Sequence, residues 1–380
     1  MRTIGFALLA AIVVSSPGRL RPSAFPTAAF APDGALWVVW VDGPGVYVGS
    51  SRDLGKTFST TTPVTTEPEA VDANGEARPK IALGPKGEIY VSYTRKGQQP
   101  YTGDIRFSRR LVDGRFSPPI TVNDDGLVTG HRFDTLSVSP GGDIHLVWID
   151  KRDLDAANQH HHDYAGAALY EAVSVDRGST FSPNRKVKDE VCECCRIALA
   201  WDGDTPFILW RDVLEGGIRD HVMTALDAKQ STMARATDDG WKIAGCPHHG
   251  PALAIGADHT RHMAWFTGDG KRGPGLFYRR STDGGRSLSD PMPFGGRGAS
   301  HPAVLAAGKA VWLAWKETAD GVTTVRAMRS ADGGASWSAP REVVRTSGDS
   351  DHPFLLARGE RDAFVSWFTG AEGYRLIPLD

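Results

Sequence analysis

The chain has 380 residues, more than the roughly 100–200 of one ordinary domain, with 43 Lys and Arg against 45 Asp and Glu. The formal net charge of −2 at pH 7 leaves no basic footprint, so we expect no nucleic-acid partner. Glycine (43) and tryptophan (11) are abundant, and Gly, Pro and Asp bound many short alternating apolar runs. That pattern predicts an all-β chain.

The first predicted element is a secretory signal peptide at residues 1–18. Arg2 precedes an apolar run over residues 4–14, small residues follow, and the run is too short to span a bilayer. The alternative is a buried N-terminal helix or strand. We expect an exported protein, secreted or periplasmic, without membrane association after signal cleavage. An oxidising compartment would permit disulfides.

After the signal, one pattern repeats seven times. "RPKIALGPKGEIYVSY", "FDTLSVSPGGDIHLVW" and "HPAVLAAGKAVWLAW" each contain a short apolar strand, a Gly or Asp turn, and a second strand that ends on an aromatic residue. Seven such copies predict a repeat architecture that fills residues 19–380 as a single domain, which we expect to be monomeric. The aromatic residues, 50 to 62 positions apart, are Trp40, Tyr93, Trp148, Trp210, Trp265, Trp315 and Trp367.

Four tight turns share a Ser-x-Asp-x-Gly pattern. They read "SRDLGKTF", "SVDRGSTF", "STDGGRSL" and "SADGGASW". In such a turn the Asp carboxylate can accept backbone N–H groups, while Gly supplies a positive φ and the final apolar side chain packs between sheets. The sequence therefore predicts self-capped hairpins at Asp53, Asp176, Asp283 and Asp332.

These turns, in register with the repeat, resemble the Asp-box (bacterial neuraminidase repeat) motif of the sialidase superfamily of β-propellers. The resemblance implies four-stranded antiparallel blades, with the Asp boxes as structural hairpins away from the ligand mouth. Radial repetition would also avoid long exposed sheet edges. Sialidases have six blades, whereas seven copies favour seven here, with six as the alternative. The last copy stops one strand short, and residues 20–25 could supply the missing outer strand.

The repeat also predicts where a ligand would bind. In a propeller, the loop before each first strand and the loop after each second strand open on one face, here called the mouth. We expect an active or binding site there because many polar residues fall in these loops. They include eight of the 12 histidines: His131, His160, His161, His162, His248, His249, His301 and His352.

The resemblance implies one chemistry for the mouth. Sialidases clamp a sugar carboxylate with three arginines and use an acid/base Asp with a Tyr–Glu nucleophile pair. Arginine forks match carboxylates, and burial can tune an acid, so the resemblance implies a small anionic or glycan ligand and exo-sialidase-type hydrolysis. The candidate ligand-binding residues are Arg78, Arg132, Arg196 and Arg211, and the candidate catalytic residues are Asp134, Asp150 and Asp212.

The sequence departs from the sialidase pattern in two respects, and the candidate arginines have an alternative, structural role. The family's Phe-Arg-Ile-Pro motif is absent, and "LRPSAF" stands in its place. No Tyr–Glu pair can be matched, since Tyr93, Tyr101, Tyr164 and Tyr374 are all candidates. Alternatively, the arginines bridge blades through ion pairs.

The cysteines indicate a second chemistry. "CECC" directly precedes the first strand of blade 4, and "CPHH" precedes that of blade 5. The set could form a cross-blade disulfide involving Cys246, which we favour, or bind Zn or Cu, or present a redox-active thiol. No cofactor is required. The residues concerned are Cys192, Cys194, Cys195, Cys246, His248 and His249.

Two further expectations follow. The "HHHD" run over residues 160–163 is expected to be a solvated loop. The alternative functions are a non-hydrolytic metal-binding or redox propeller and a protein-interaction scaffold, because a propeller fold does not by itself fix a function.

Overall fold

The structure, a computed structural model, describes residues 24–226 and 233–379, so the predicted signal peptide at 1–18 lies outside the described residues. Within these ranges the strands form seven antiparallel sheets, in each of which neighbouring strands follow chain order. The predicted all-β propeller with seven blades is confirmed, and six blades are excluded. No helix in the described ranges is long and apolar enough to cross a membrane.

Blades 1 to 3 are built from twelve strands. The bounds are β1 (Thr27–Phe30), β2 (Leu36–Val41), β3 (Val46–Ser51) and β4 (Thr62–Pro63) in blade 1; β5 (Lys80–Leu83), β6 (Ile89–Lys96), β7 (Gly103–Arg109) and β8 (Ile120–Thr121) in blade 2; and β9 (His131–Val138), β10 (Ile144–Asp150), β11 (Ala167–Ser174) and β12 (Arg185–Val191) in blade 3. A short helix, α1 (Arg152–Gln159), follows β10, and the exposed residues 160–163 come directly after it.

Blades 4 to 7 contain the remaining fifteen strands of the described chain. The bounds are β13 (Ala198–Asp202), β14 (Thr205–Arg211), β15 (His221–Ala225) and β16 (Ala234–Arg235) in blade 4; β17 (Ala252–Ile255), β18 (Arg261–Thr267), β19 (Gly275–Ser281) and β20 (Met292–Phe294) in blade 5; β21 (Ala299–Ala307), β22 (Ala310–Ala319), β23 (Val322–Ser330) and β24 (Arg341–Thr346) in blade 6; and β25 (Phe354–Arg358), β26 (Asp362–Thr369) and β27 (Gly373–Pro378) in blade 7.

The ring closes on its inner side. The first strand of each blade contacts the first strand of the next, and β25 contacts β1. Blade 7 has three strands in the described residues. The sequence suggested that residues 20–25 could supply a fourth strand to blade 7. Residues 20–23 lie outside the described ranges. Ala24 instead extends blade 1, because its carbonyl accepts a 2.9 Å hydrogen bond from Val41 N–H.

The repeated aromatic residues form the core between blades. Each is at most 2% exposed. Trp148 of blade 3, for example, shares an apolar cluster with Tyr90 and Phe107 of blade 2. Burial of such large rings supplies much of the free energy that holds neighbouring blades together.

The four Asp turns have the predicted hydrogen bonding, and all lie between the third and fourth strands of their blades. In the first, Asp53 accepts Thr57 N–H at 2.8 Å, Thr57 Oγ1–H at 2.6 Å and Ser51 Oγ–H at 2.8 Å. These bonds favour the carboxylate and lower the pKa of Asp53 to about 2. Gly55 follows with a φ of 83°, which glycine adopts without a steric penalty.

Candidate functional site

The first strands of the blades surround a cavity of about 260 Å³ on the propeller axis. Its polar wall comes from the loops that precede β5 and β13 and from the start of β5. Three cationic side chains line it, those of Arg78, Lys80 and Arg196, together with the carboxylate of Glu76. Every blade contributes a residue of its first strand: Thr27, Lys80, Thr135, Ala198, Ala252, Ala303 and Leu355.

Glu76, in the loop before blade 2, accepts hydrogen bonds from the loops before blades 4 and 5 and so connects three blades. One of its oxygens, Oε2, accepts the backbone N–H of Arg196 at 2.9 Å and that of Gly250 at 2.8 Å. The other, Oε1, accepts Arg196 Nη1–H at 2.7 Å. Glu76 is only 2% exposed, so these bonds satisfy a carboxylate that is removed from water. Glu76 precedes the first strand of blade 2 and therefore lies in a loop of the mouth, but nothing in the local sequence shows which distant loops it binds.

Arg78 and Arg196 both lie at the axial cavity, and both are engaged by protein atoms. Arg78 donates to the two oxygens of Asp351, each at 2.6 Å, and to Gly75 O at 2.7 Å. Besides its bond to Glu76, Arg196 donates to Pro302 O at 2.9 Å, which connects blades 4 and 6. These two arginines therefore bridge blades, as the alternative interpretation held, while their guanidinium groups face a shared cavity.

Arg132 and Arg211 are not among the residues that line this cavity. Arg132 Nε–H donates to Asp72 at 2.5 Å. Arg211, 2% exposed, donates to three backbone carbonyl oxygens, those of Arg219 (2.7 Å), His249 (3.0 Å) and Phe266 (2.8 Å). The structure thus brings two of the four candidate arginines together. The ligand-binding role of the set stays a prediction.

Asp134 is a candidate acid that does not itself line the cavity, although its electrostatic partner Lys80 does. It is 3% exposed, accepts Ser92 Oγ–H at 2.5 Å and interacts electrostatically with Lys80. Burial raises the pKa of Asp134, and the Lys80 charge opposes that rise. Burial also lowers the pKa of Lys80 to about 8. Lys80 Nζ donates to Arg78 O at 2.9 Å. Lys80 at the cavity and the buried Asp134 that interacts with it both have shifted pKa values, a feature expected of a functional site.

Asp150 and Asp212 lie at the ends of second strands, where each holds the indole of its own blade. Trp148 Nε1–H donates to Asp150 at 2.8 Å and Trp210 Nε1–H to Asp212 at 3.3 Å. Glu317 repeats the arrangement with Trp315 at 2.8 Å. The Trp-x-Asp/Glu pattern occurs four times in the sequence, also at Trp40 and Asp42, and in these three copies it is a signal that could have indicated the structural partner of the indole. A catalytic role for Asp150 or Asp212 is not tested by these contacts and stays a prediction.

Three histidines from consecutive blades stack at the mouth. The rings of His249 and His301 have centroids 4.3 Å apart, and those of His301 and His352 are 3.5 Å apart with 16° between planes. Burial lowers the pKa of all three, that of His249 to about 4. The lowered pKa values favour neutral rings, which can stack without charge repulsion. Sequence reasoning placed these residues at the mouth but did not predict the stack.

The "CECC" and "CPHH" segments meet as the repeat predicted. The donor atoms of Cys194, Cys246 and His248 lie within 4.8 Å of one another, and so do the sulfurs of Cys192, Cys194 and Cys195. His249 does not join them, because its ring stacks on Phe266 with centroids 4.1 Å apart.

The favoured cross-blade disulfide is absent. All four cysteines are free thiols, and the Sγ atoms of Cys192 and Cys195 are 3.6 Å apart, far beyond the roughly 2.05 Å of an S–S bond. Contacts with the two neighbouring thiols lower the pKa of Cys192, while burial raises that of Cys195 to about 11.

No protein-family model and no curated protein matches the sequence. Solved structures match over most of the chain. An ulvan lyase bound to GlcA(1-4)Rha3S is 13% identical, with 95% of this chain and 92% of the lyase chain covered and a TM-score of 0.58. A Hadza microbial sialidase is 13% identical over 91% of this chain and 76% of its own, with a TM-score of 0.53. A Penicillium chrysogenum α-L-arabinanase complexed with arabinobiose is 13% identical over 96% and 95%, with a TM-score of 0.50.

At identities this low the likeness is one of fold. The resemblance inferred from the repeat is confirmed at that level, and the blade number is the seven that the sequence favoured. The chain has a sialidase-like β-propeller fold with seven blades.

Proposed function

We propose that the axial cavity binds a small anionic ligand of the acidic-sugar class. The observation that carries the proposal is the lining of one cavity by Arg78, Lys80 and Arg196, against the single carboxylate of Glu76 among the lining residues described. Cationic side chains around a confined cavity focus a positive potential on whatever enters it.

Of the three cations, Lys80 has N–H groups that are available to bind a ligand. In the described residues its ammonium makes one hydrogen bond, to Arg78 O, although it carries three N–H groups. Arg78 and Arg196 contribute charge, but their N–H groups are held by Asp351, Glu76 and backbone carbonyls. We therefore assign direct contact with the ligand anion to Lys80.

The size and the wall of the cavity suit one sugar ring. Its volume of about 260 Å³ lies just below the range of about 300–1,000 Å³ typical of drug-sized ligand pockets. The rest of the lining is largely apolar and includes Ile197, Leu253 and the Phe354 ring. Apolar walls with a few polar groups are the usual composition of a small-molecule site, and they would accept the C–H faces of a sugar.

Hydrolysis of an acidic glycoside is the finer hypothesis. Asp134 is its candidate general acid, because burial raises its pKa toward the working range of such an acid. The ulvan lyase, the sialidase and the arabinanase are glycan-active by their names, and this supports the glycan class of ligand. Export, the expectation from residues 1–18, would bring the cavity into contact with extracellular glycans.

A panel of acidic and neutral monosaccharides tests the proposal, with ligand-induced thermal stabilisation as the readout. Lys80→Met should abolish stabilisation by acidic sugars. Lys86→Met is the matched control, since Lys86 is an exposed lysine of the same blade, and it should behave like the wild type. The absence of stabilisation by every acidic sugar, or equal effects of the two variants, would contradict the proposal. Turnover of fluorogenic acidic glycosides that is lost in Asp134→Asn would support the finer hypothesis.

A further inference from the structure

The thiol cluster of Cys192, Cys194 and Cys195 takes no part in the proposed sugar site, since none of its members lines the axial cavity. We propose that these three thiolates bind one Cu(I) ion in a three-coordinate site at the mouth of the propeller. The proposal stands independently of the sugar ligand.

The sulfur positions already suit a bound ion. The Sγ atom of Cys192 is 3.6 Å from that of Cys195 and 3.9 Å from that of Cys194. Metal–sulfur bonds of about 2.3 Å in a tetrahedral or trigonal site place neighbouring sulfurs about 3.8–4.0 Å apart. The sulfurs of Cys194 and Cys195 lie within 4.8 Å of each other, so an ion could be bound with sulfur shifts of less than about 1 Å.

The number of donors favours Cu(I) over Zn. Structural Zn sites almost always have four protein ligands. Here the additional donors, Cys246 and His248, group with Cys194 but not with the complete buried triad. Three thiolates without a fourth ligand suit Cu(I), a soft ion that thiolates select and that accepts low coordination numbers.

The surroundings of the triad are those of a closed site. The three cysteines are 2–3% exposed and belong to an apolar cluster with Phe133, Ile197 and Trp210. The intervening Glu193 does not compete for the ion, because it pairs with Lys151. An apolar wall excludes water and chelating solutes from the ion.

A fixed positive charge offsets part of the charge of the site. Arg211 acts electrostatically on Cys192 and Cys195, and its guanidinium is anchored by three backbone carbonyls. Three thiolates and Cu(I) carry a charge of −2, which a buried site tolerates better beside a cation. The thiol protons displaced by the ion leave to water, so binding releases up to three protons.

The exposed donors offer the ion a way in. Cys246 and His248 are at the surface, and both reach Cys194, the cysteine that the two groups of donors share. An ion can therefore pass from the exposed pair to the buried triad by exchange of ligands at one sulfur.

Anaerobic titration of the reduced full-length protein with Cu(I), in competition with a chromophoric Cu(I) chelator, tests the proposal. We expect one equivalent bound per chain, a three-sulfur shell by X-ray absorption, and no displacement by equimolar Zn(II). Cys195→Ser should weaken the affinity by about 100-fold or more, because it removes a ligand itself. Cys246→Ser, the matched control, should leave the equilibrium affinity within about threefold.

Three results would overturn the proposal. The first is Cu(I) uptake below about a tenth of an equivalent by wild-type protein that has four free thiols. The second is a four-coordinate shell of mixed nitrogen and sulfur ligands. The third is an equal loss of Cu(I) affinity in the two serine variants. Should Cys195→Ser not fold, the stoichiometry and the sulfur shell of the wild type decide the question alone.

Discussion

Arg78 of blade 2 and Asp351 of blade 7 form a bidentate ion pair, with both N···O distances at 2.6 Å and both side chains 3% exposed. Arg78 also donates to Pro26 O, at 3.3 Å, directly before β1. This pair therefore connects the first, second and last blades at the point where the ring closes.

Loss of one member of this pair should destabilise the protein strongly. Arg78→Met would leave the Asp351 carboxylate buried without its partner, a change that typically costs about 3–5 kcal/mol of the free energy of unfolding. The double variant Arg78→Met/Asp351→Leu removes both charges and should recover part of that loss. Urea denaturation of the three proteins measures this, and a double variant less stable than Arg78→Met would contradict the closing role.

Affinity for an acidic sugar should depend on pH through Lys80. Its pKa in the folded protein is about 8, lower than usual because the amine is buried. Below that pH Lys80 carries its charge and attracts the anion, and as pH rises through about 8 the charge and the affinity are lost. Titrations between pH 6.5 and about 9.5 in which the affinity stays constant would exclude Lys80 as the ligand contact.

Stability should fall in acid through the histidine stack. The pKa of His249 is lowered from 6.5 to about 4, so the unfolded chain binds more protons than the folded one between these values. Unfolding free energy should therefore decrease as pH falls from about 6.5, by up to about 3 kcal/mol from this residue. His249→Phe keeps the stacking and should flatten the profile in this range. An unchanged pH profile in that variant would contradict the assignment.

Each of the repeated aromatic residues should contribute several kcal/mol to the free energy of unfolding. Trp315 is fully buried, and Trp315→Ala should cost about 3–5 kcal/mol through lost burial and the cavity that remains. Val112 is fully exposed, and Val112→Ala serves as the control with an expected change within about 0.5 kcal/mol. Thermal and chemical denaturation provide the comparison. A cost below about 1 kcal/mol at Trp315 would show that the ring does not hold blades 5 and 6 together.

Much of the fold was predictable because its signals are local. Strand alternation, turn glycines and the aromatic period lie within each copy, and they determine both the blades and the face on which each loop opens. The approach of the "CECC" segment to the "CPHH" segment followed from the same register.

What could not be predicted depends on partners far apart in sequence. Arg78 and Asp351 are 273 positions apart, and Arg196 and Glu76 are 120 positions apart. The sequence around these residues does not indicate which carboxylate each guanidinium binds. The disulfide expectation rested on blade neighbourhood and on an oxidising compartment, and neither ensures the short sulfur–sulfur distance that the bond requires.

Calorimetric titration of the wild-type protein at pH 7 with glucuronate and with glucose tests the central claim most directly. The two sugars differ in the carboxylate that Lys80, Arg78 and Arg196 are proposed to attract. Saturable binding of glucuronate at one site per chain, with no detectable binding of glucose, is the expected result. Equal binding of both sugars, or binding of neither, would contradict the proposal that the axial cavity is an acidic-sugar site.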